Sequence, residues 1–161
     1  MAEVFLSLGS NVGERRDNIL AALAFIDRKG VRLKAVSSLY ESAPVGVTGH
    51  PDFLNICVAA ETVLEPEALL NALQDVEAEL GRERTAEKTP RIIDIDILLY
   101  GHIIFESERL VIPHREMHKR RFVLEPLKEI AGDAAHPALK KSVNELAREA
   151  VSGEIRKIGA V

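Results

Sequence analysis

The stretch Pro90-Arg91-Ile92-Ile93-Asp94-Ile95-Asp96-Ile97-Leu98-Leu99-Tyr100 reads as a buried strand that carries two carboxylates in an otherwise almost wholly aliphatic run. Strand side chains alternate between faces, so Asp94 and Asp96 project to the same side. Packing alone explains neither charge. Two crowded carboxylates on an apolar strand resist ionising unless a cation neutralises them, and Mg²⁺ held by carboxylates and substrate phosphates suits that arrangement. Arg91, just upstream, is placed to hold phosphate oxygens. An isolated D-x-D is more often a strand end facing water or pairing with Arg or Lys. The aliphatic flanks on both sides favour the metal reading here.

Outward from this strand, Gly81 to Pro90 is a charged segment that carries Arg82, Glu83, Arg84, Glu87 and Lys88. Before it, Pro66 opens a helix whose apolar stripe is Leu69, Leu70, Leu73, Val76 and Leu80. Gln74 and Glu77 share its polar face, and Gly81 ends it. Phe53 to Val63 is the longest apolar run and predicts a central strand with Asn55 as its early polar interruption. An amide in that setting needs a ligand or a backbone partner. Ser42 to Asp52, with Pro44, Gly46, Gly49 and Pro51, predicts a loop. Arg32 to Glu41 predicts one strand, and Ile19, Leu20, Leu23 and Ile26 predict a helix over Glu14 to Arg28, closed by Gly30. Val4 to Leu8 predicts the first strand, ending at the turn Gly9-Ser10-Asn11-Val12-Gly13.

Downstream, His102 to Phe105 predicts a brief strand or turn, Arg109 to His114 leads into a basic loop, and the remainder reads as helical. Arg121 to Ile130 is one helix. Ser142-Val143-Asn144-Glu145 has the S-x-x-E spacing of a capping box that opens another, to about Val151. Strand, helix, strand, strand, helix, strand predicts an α+β fold: a ferredoxin-like βαββαβ antiparallel sheet with helices on one face and C-terminal helical additions. Such a fold hosts many activities, so the site must decide function.

At 161 residues the chain is expected to form a single domain over 1–161, large enough for a core without staples. Its one cysteine, Cys57, lies in an apolar run and reads as a core residue of a reducing compartment. The net charge of −4 argues against a nucleic-acid partner, although His118-Lys119-Arg120-Arg121 forms a short basic cluster. The start Met1-Ala2-Glu3 has no basic-plus-apolar leader, and no aliphatic run reaches membrane-spanning length. A cytoplasmic location, no membrane partner and a monomer are the expectations.

Without G-x-x-x-x-G-K-[ST], phosphate charge must fall to side chains. The candidates are Arg82, Arg84, Lys88, Arg91, Arg109, His114 and Arg120. Arginine forks suit phosphate because they donate parallel charge-assisted bonds. Any one of these alone is more often a solvated surface cation.

Five separated motifs then coincide in order: Leu8-Gly9-Ser10-Asn11, Ser38-Leu39-Tyr40-Glu41-Ser42, Pro51-Asp52-Phe53-Leu54-Asn55, Pro90-Arg91 with Asp94-Ile95-Asp96, and Arg109-Leu110-Val111-Ile112-Pro113-His114. Over essentially its whole length the chain resembles the 6-hydroxymethyl-7,8-dihydropterin pyrophosphokinase family of folate biosynthesis. The resemblance implies an enzyme that transfers diphosphate from ATP to the pterin hydroxymethyl group and releases AMP. It implies two Mg²⁺ ions on Asp94 and Asp96, with Arg84 and Arg91 joining them as catalytic residues. Gln74, Glu77, Arg84, Arg91, Ile97, Arg109, His114 and Arg120 would line the ATP site. Ser42, Ala43, Val45, Phe53, Asn55 and Phe122 would line the pterin site, where a planar ring can stack between Phe53 and Phe122.

The chain departs from the family pattern at Glu87-Lys88-Thr89, which lacks the usual aromatic before Pro-Arg and is one residue shorter. It also lacks the Thr-like and aromatic options at Val111 and Arg115. Two other classes compete. A noncatalytic ferredoxin-like binding domain would bind ligand without making AMP, and a D-x-D nucleotidyltransferase would show salt-sensitive polynucleotide binding.

Overall fold

The computed structural model describes residues 1–44, 49, 51–81, 92–151 and 153–161. In chain order the elements are β1 (Ala2–Ser10), α1 (Arg15–Arg28), β2 (Val31–Val36), β3 (Leu39–Ser42), β4 (Phe53–Thr62), α2 (Pro66–Glu79) and β5 (Asp94–Tyr100). They continue with β6 (Phe105–Glu106), β7 (Val111–Ile112), a 3-10 turn at Met117–Lys119, α3 (Arg121–Ala131), β8 (Ala135–His136), β9 (Lys141–Ser142), α4 (Val143–Glu149) and β10 (Ile155–Gly159).

The main sheet has the order β10-β3-β4-β1-β5, and β2 also pairs with β4. Every pairing in it is antiparallel. The long apolar run of β4 is therefore central, as its composition predicts. Its even-numbered residues Leu54, Ile56, Val58 and Ala60 pack with Leu6, Leu8, Ile95 and Ile97 against Ile19 and Ile26 of α1 and Leu69, Leu73 and Val76 of α2. Its odd-numbered Cys57 and Ala59 join Phe5, Leu98 and Leu99 beneath Val123, Leu124 and Leu127 of α3 and Leu146 of α4. A register shift opposite Phe5/Leu6 lets the consecutive Leu98 and Leu99 both enter this second core.

Helices thus cover both faces of the sheet rather than one. The reason is the apolar stripe of α3, which must bury itself against something, and the α1/α2 face is already filled. The C-terminal part is also not all helical. The β8–β9 hairpin precedes α4, and β10 adds a strand to the edge of β3. The capping box forms as predicted: Ser142 Oγ accepts the Glu145 N–H at 3.2 Å, and Glu145 Oε1 accepts the Ser142 N–H at 3.3 Å.

The single strand expected over Arg32 to Glu41 is broken into β2 and β3 at Ser37-Ser38. Ser37 exchanges bonds with Cys57, donating its N–H to the Cys57 carbonyl and accepting the Cys57 N–H on Oγ, each at 2.9 Å. Ser38 turns away from the ladder. Its N–H and hydroxyl both reach Glu129 Oε2 of α3, at 2.9 and 3.0 Å.

Candidate active site

Four antiparallel strands put the decisive residues in one row. Gly9 of β1 lies opposite Asp94 of β5 on one side and opposite Asn55 of β4 on the other; Tyr40 of β3 lies opposite Asn55 in turn. Directly opposed residues share a face, so Asp94, Gly9, Asn55 and Tyr40 all face the α3 side. Asp96 follows in the next row, opposite Ser7. With strands spaced by about 4.8 Å, the backbones of Asp94 and Asn55 stand about 10 Å apart with only a glycine between them.

That glycine provides space rather than an unusual turn. A Cβ at Gly9 would lie 3.2 Å from Asn55 Oδ1 and 3.2 Å from Phe53 Cδ1. The motif Leu8-Gly9-Ser10-Asn11 therefore contributes a floor to the site. The turn expected from Gly9 onward begins later, since β1 runs on through Ser10.

At the carboxylate end, Asp94 and Asp96 are half-buried while Ile95 and Ile97 are buried behind them. Glu77 of α2 is only 3% exposed, and its Oε2 accepts the Ile95 N–H at 3.0 Å. It therefore does not lie on an exposed polar face. It tethers α2 to the strand segment between the two aspartates. The His114 N–H donates to the Leu98 carbonyl at 3.0 Å, which seats the loop after β7 on β5. His114 Nδ1 accepts the Glu116 N–H at 3.1 Å, so in the neutral ring the proton sits on Nε2. Burial holds the His114 pKa below its ordinary value, and Arg120 reinforces this against the opposing pull of Asp94 and Glu116. Neutral His114 is thus a donor at pH 7.

Arg109 and Gln74 are brought together by a direct hydrogen bond. Arg109 Nη2 donates to Gln74 Oε1 at 3.2 Å and to Asn71 Oδ1 at 2.6 Å. Arg120 stands at the start of α3 with its guanidinium carbon 5.6 Å from the Phe122 ring centroid. Ile97, by contrast, sends its side chain into the α1/α2 core, away from the aspartate face.

At the other end of the row, Asn55 is 5% exposed. Its Nδ2 donates to Ser42 Oγ at 2.7 Å and reaches the Tyr40 carbonyl at 3.5 Å. A carbonyl can only accept, so these partners fix the amide with Oδ1 toward Gly9 and the open part of the row. Ser42 opposes Phe53 at the last rung of β3–β4, and Ala43 is exposed just beyond. The Tyr40 hydroxyl donates to Glu129 Oε1 at 2.8 Å, so α3 is bolted to the strand behind Asn55. Burial, with the Glu129 hydrogen bond and charge behind it, raises the Tyr40 pKa, so the phenol remains a donor. Burial also pushes the Cys57 thiol up, and its Sγ donates to the Val123 carbonyl at 3.3 Å; it is a core residue, as its setting predicted.

Arg84, Arg91 and Val45 lie outside the described residues, as do Arg82, Lys88 and the Glu87-Lys88-Thr89 departure. Among the described residues no group of three or more His, Cys, Asp or Glu could hold a metal ion. Two same-face carboxylates nevertheless fit Mg²⁺, which takes one or two protein carboxylates and fills its octahedron with phosphate oxygens and water. No helix of the described residues is long and apolar enough to cross a membrane.

The profile of the 7,8-dihydro-6-hydroxymethylpterin-pyrophosphokinase family matches residues 5–132, and the chain belongs to that family. It is 39% identical over 159 residues to the 2-amino-4-hydroxy-6-hydroxymethyldihydropteridine pyrophosphokinase of Haemophilus influenzae, covering 98% of this chain and 99% of that protein. It is 42% identical over 155 residues to the folic acid synthesis protein fol1 of Pneumocystis carinii, covering 96% of this chain but only 21% of the fungal protein. Among solved structures, Plasmodium falciparum HPPK-DHPS with pteroate superposes with a TM-score of 0.73 over 92% of this chain and 42% of that one. At 15% identity that likeness is one of fold. The family expected from the five motifs is the family found.

Proposed function

We propose that the chain transfers diphosphate from ATP to the hydroxymethyl group of 6-hydroxymethyl-7,8-dihydropterin and releases AMP, on a ferredoxin-like βαββαβ sheet. The observation that carries this reading is the row Asp94–Gly9–Asn55, which sets a carboxylate and a fixed amide acceptor on either side of β1 across a position without a side chain, with Asp96 in the next row. Asn55 Oδ1 accepts an N–H from the pterin's amide-like edge, because both of its donors are already engaged. Phe53 and Phe122 supply apolar walls for the ring, and Ser42, Ala43 and Val45 complete that end.

Asp94 and Asp96 would hold two Mg²⁺ ions, which when bound neutralise triphosphate charge. Arg84, Arg91, Arg109, Arg120 and the Nε2–H of His114 donate to ATP oxygens, while Gln74 orients Arg109. Glu77 acts behind them by holding β5 in place. The pterin hydroxyl oxygen bonds to the β-phosphorus as the bond from that phosphorus to the α–β bridging oxygen breaks, so AMP leaves and the hydroxyl proton is lost. Positioning and electrostatics supply most of the rate, and no covalent enzyme intermediate is required.

Asp96→Ala tests the metal role. Turnover should fall by a factor on the order of a thousand or more, with the thermal unfolding midpoint little changed. Near-normal turnover in Mg²⁺ would contradict the assignment.

A further inference from the structure

We propose that Arg15 is a positioning residue for the pterin pocket, acting from the opposite face of the sheet by tying together the two strand ends that carry Ser42 and Phe53. The inference rests on the pterin assignment made above. Ser42 and Phe53 form the last rung of the β3–β4 pair. Glu41 precedes Ser42, Asp52 precedes Phe53, and Arg15 reaches both. Its Nη1 donates to the Asp52 carbonyl at 2.9 Å and lies 3.0 Å from Glu41 Oε2. A single guanidinium nitrogen at the start of α1 therefore spans the rung diagonally, from Glu41 on its ladder side to Asp52 on its loop side.

Strand alternation explains why this can happen without intruding on the pocket. Ser42 and Tyr40 face α3, so Glu41 between them faces α1. Glu41 is also held from the sheet edge by Arg156 of β10, whose Nη2 lies 2.6 Å from Oε1. The two guanidinium groups, Arg156 foremost, keep the Glu41 carboxyl below its usual pKa, so the bridge is ionised at neutral pH. A second tie runs in parallel from the turn between β1 and α1, where Asn11 Nδ2 donates to the Pro51 carbonyl at 3.3 Å.

The rung matters because Ser42 Oγ is a 2.7 Å partner of the Asn55 amide, and Phe53 Cδ1 is one of the two atoms that crowd the Gly9 position. Letting the strand ends separate would disturb the amide's orientation and the ring wall together. The aspartate strand β5 lies on the far side of β1, so ATP contacts should be spared.

Pterin and ATP affinities measured separately by calorimetry, alongside steady-state kinetics, test this in Arg15→Ala, Arg15→Lys, Glu41→Gln and Asn55→Ala. Arg15→Ala should weaken pterin binding by roughly five- to tenfold, the loss of one charge-assisted bond in part transmitted to the site. ATP affinity and kcat should stay within about twofold by the same reckoning. Arg15→Lys should recover part of the loss, and Glu41→Gln should shift pterin affinity in the same direction by less. Wild-type pterin affinity in both Arg15→Ala and Glu41→Gln, or equal losses for pterin and ATP, would overturn the proposal. Asn55→Ala separates the two layers of argument. If it binds pterin normally, the pocket assignment itself falls; if it binds poorly while the Arg15 and Glu41 variants bind normally, only the bridge does.

Discussion

One face of the sheet is aliphatic across the neighbouring strands β4, β1 and β5, and the other is aliphatic only in part. On the α1/α2 side, Leu6, Leu8, Ile56, Val58, Ile95 and Ile97 form an unbroken core. On the α3/α4 side, Phe5, Cys57 and Leu99 give way along the same strands to Ser7, Gly9, Asn55, Asp94 and Asp96. The contrast shows how a small α+β domain separates stability from chemistry. The filled face holds the strands in register, and that register alone lines up polar groups on the other face. Glu77 is the exception that proves useful, since it works from the α2 side yet its carboxylate acts on the Ile95 backbone between the aspartates.

If the faces divide labour in this way, substitutions should divide too. Ile56→Ala, on the filled face and 1% exposed, should cost about 2–5 kcal/mol of folding free energy. The fraction that remains folded should keep its substrate affinities, as denaturant titration combined with kinetics would show. A large affinity loss at full folding would erase the distinction.

Gly9→Ala probes the polar face. The new methyl would press on Asn55 Oδ1 and Phe53 Cδ1, both at 3.2 Å. Pterin affinity should drop by about tenfold or more while folding free energy changes by about 1–3 kcal/mol at most. Unchanged pterin binding would mean that the gap is not a substrate site.

Glu129→Gln, which loosens α3 from β3, should have the smallest effect, about 1 kcal/mol at pH 7. Burial pushes the Glu129 pKa up, but the Tyr40 hydroxyl and the two Ser38 donors outweigh it and leave the folded value below 4.5. The sign follows. The unfolded chain binds the proton first as pH falls, so this stabilisation is complete above about 4.5 and is lost as pH drops through the lower folded value. The gap between wild type and Glu129→Gln should therefore close over that acidic window. A gap that is constant with pH would place the contribution elsewhere.

The parts of this architecture that were legible in the sequence are those governed by local periodicity. Alternation in β5 put Asp94 and Asp96 on one side and the isoleucines on the other, Pro66 and the Ser142–Glu145 pair marked helix starts, and the apolar run of β4 marked the centre of the sheet. The parts that were not legible depend on residues distant in the chain. The break at Ser37-Ser38 exists because Glu129, 91 residues away from Ser38, supplies acceptors that compete with the ladder. The strand β10 exists because β3 offers it an edge and Glu41 a partner for Arg156. The helical spacing of Glu77 and Gln74 predicts a polar face, and only the packing of α2 on β5 buries Glu77 against a strand N–H. Gly9 belonged to a recognisable motif, yet the reason for a glycine emerges only when Asn55 and Phe53 are seen beside it.

The most direct test of the division between the two faces, and of the reaction proposed for the open one, is a product assay with ATP, Mg²⁺ and 6-hydroxymethyl-7,8-dihydropterin. AMP should form together with the pterin diphosphate in equal amounts, and only when both substrates are present. Formation of ADP, or of AMP without any dependence on the pterin, would contradict it.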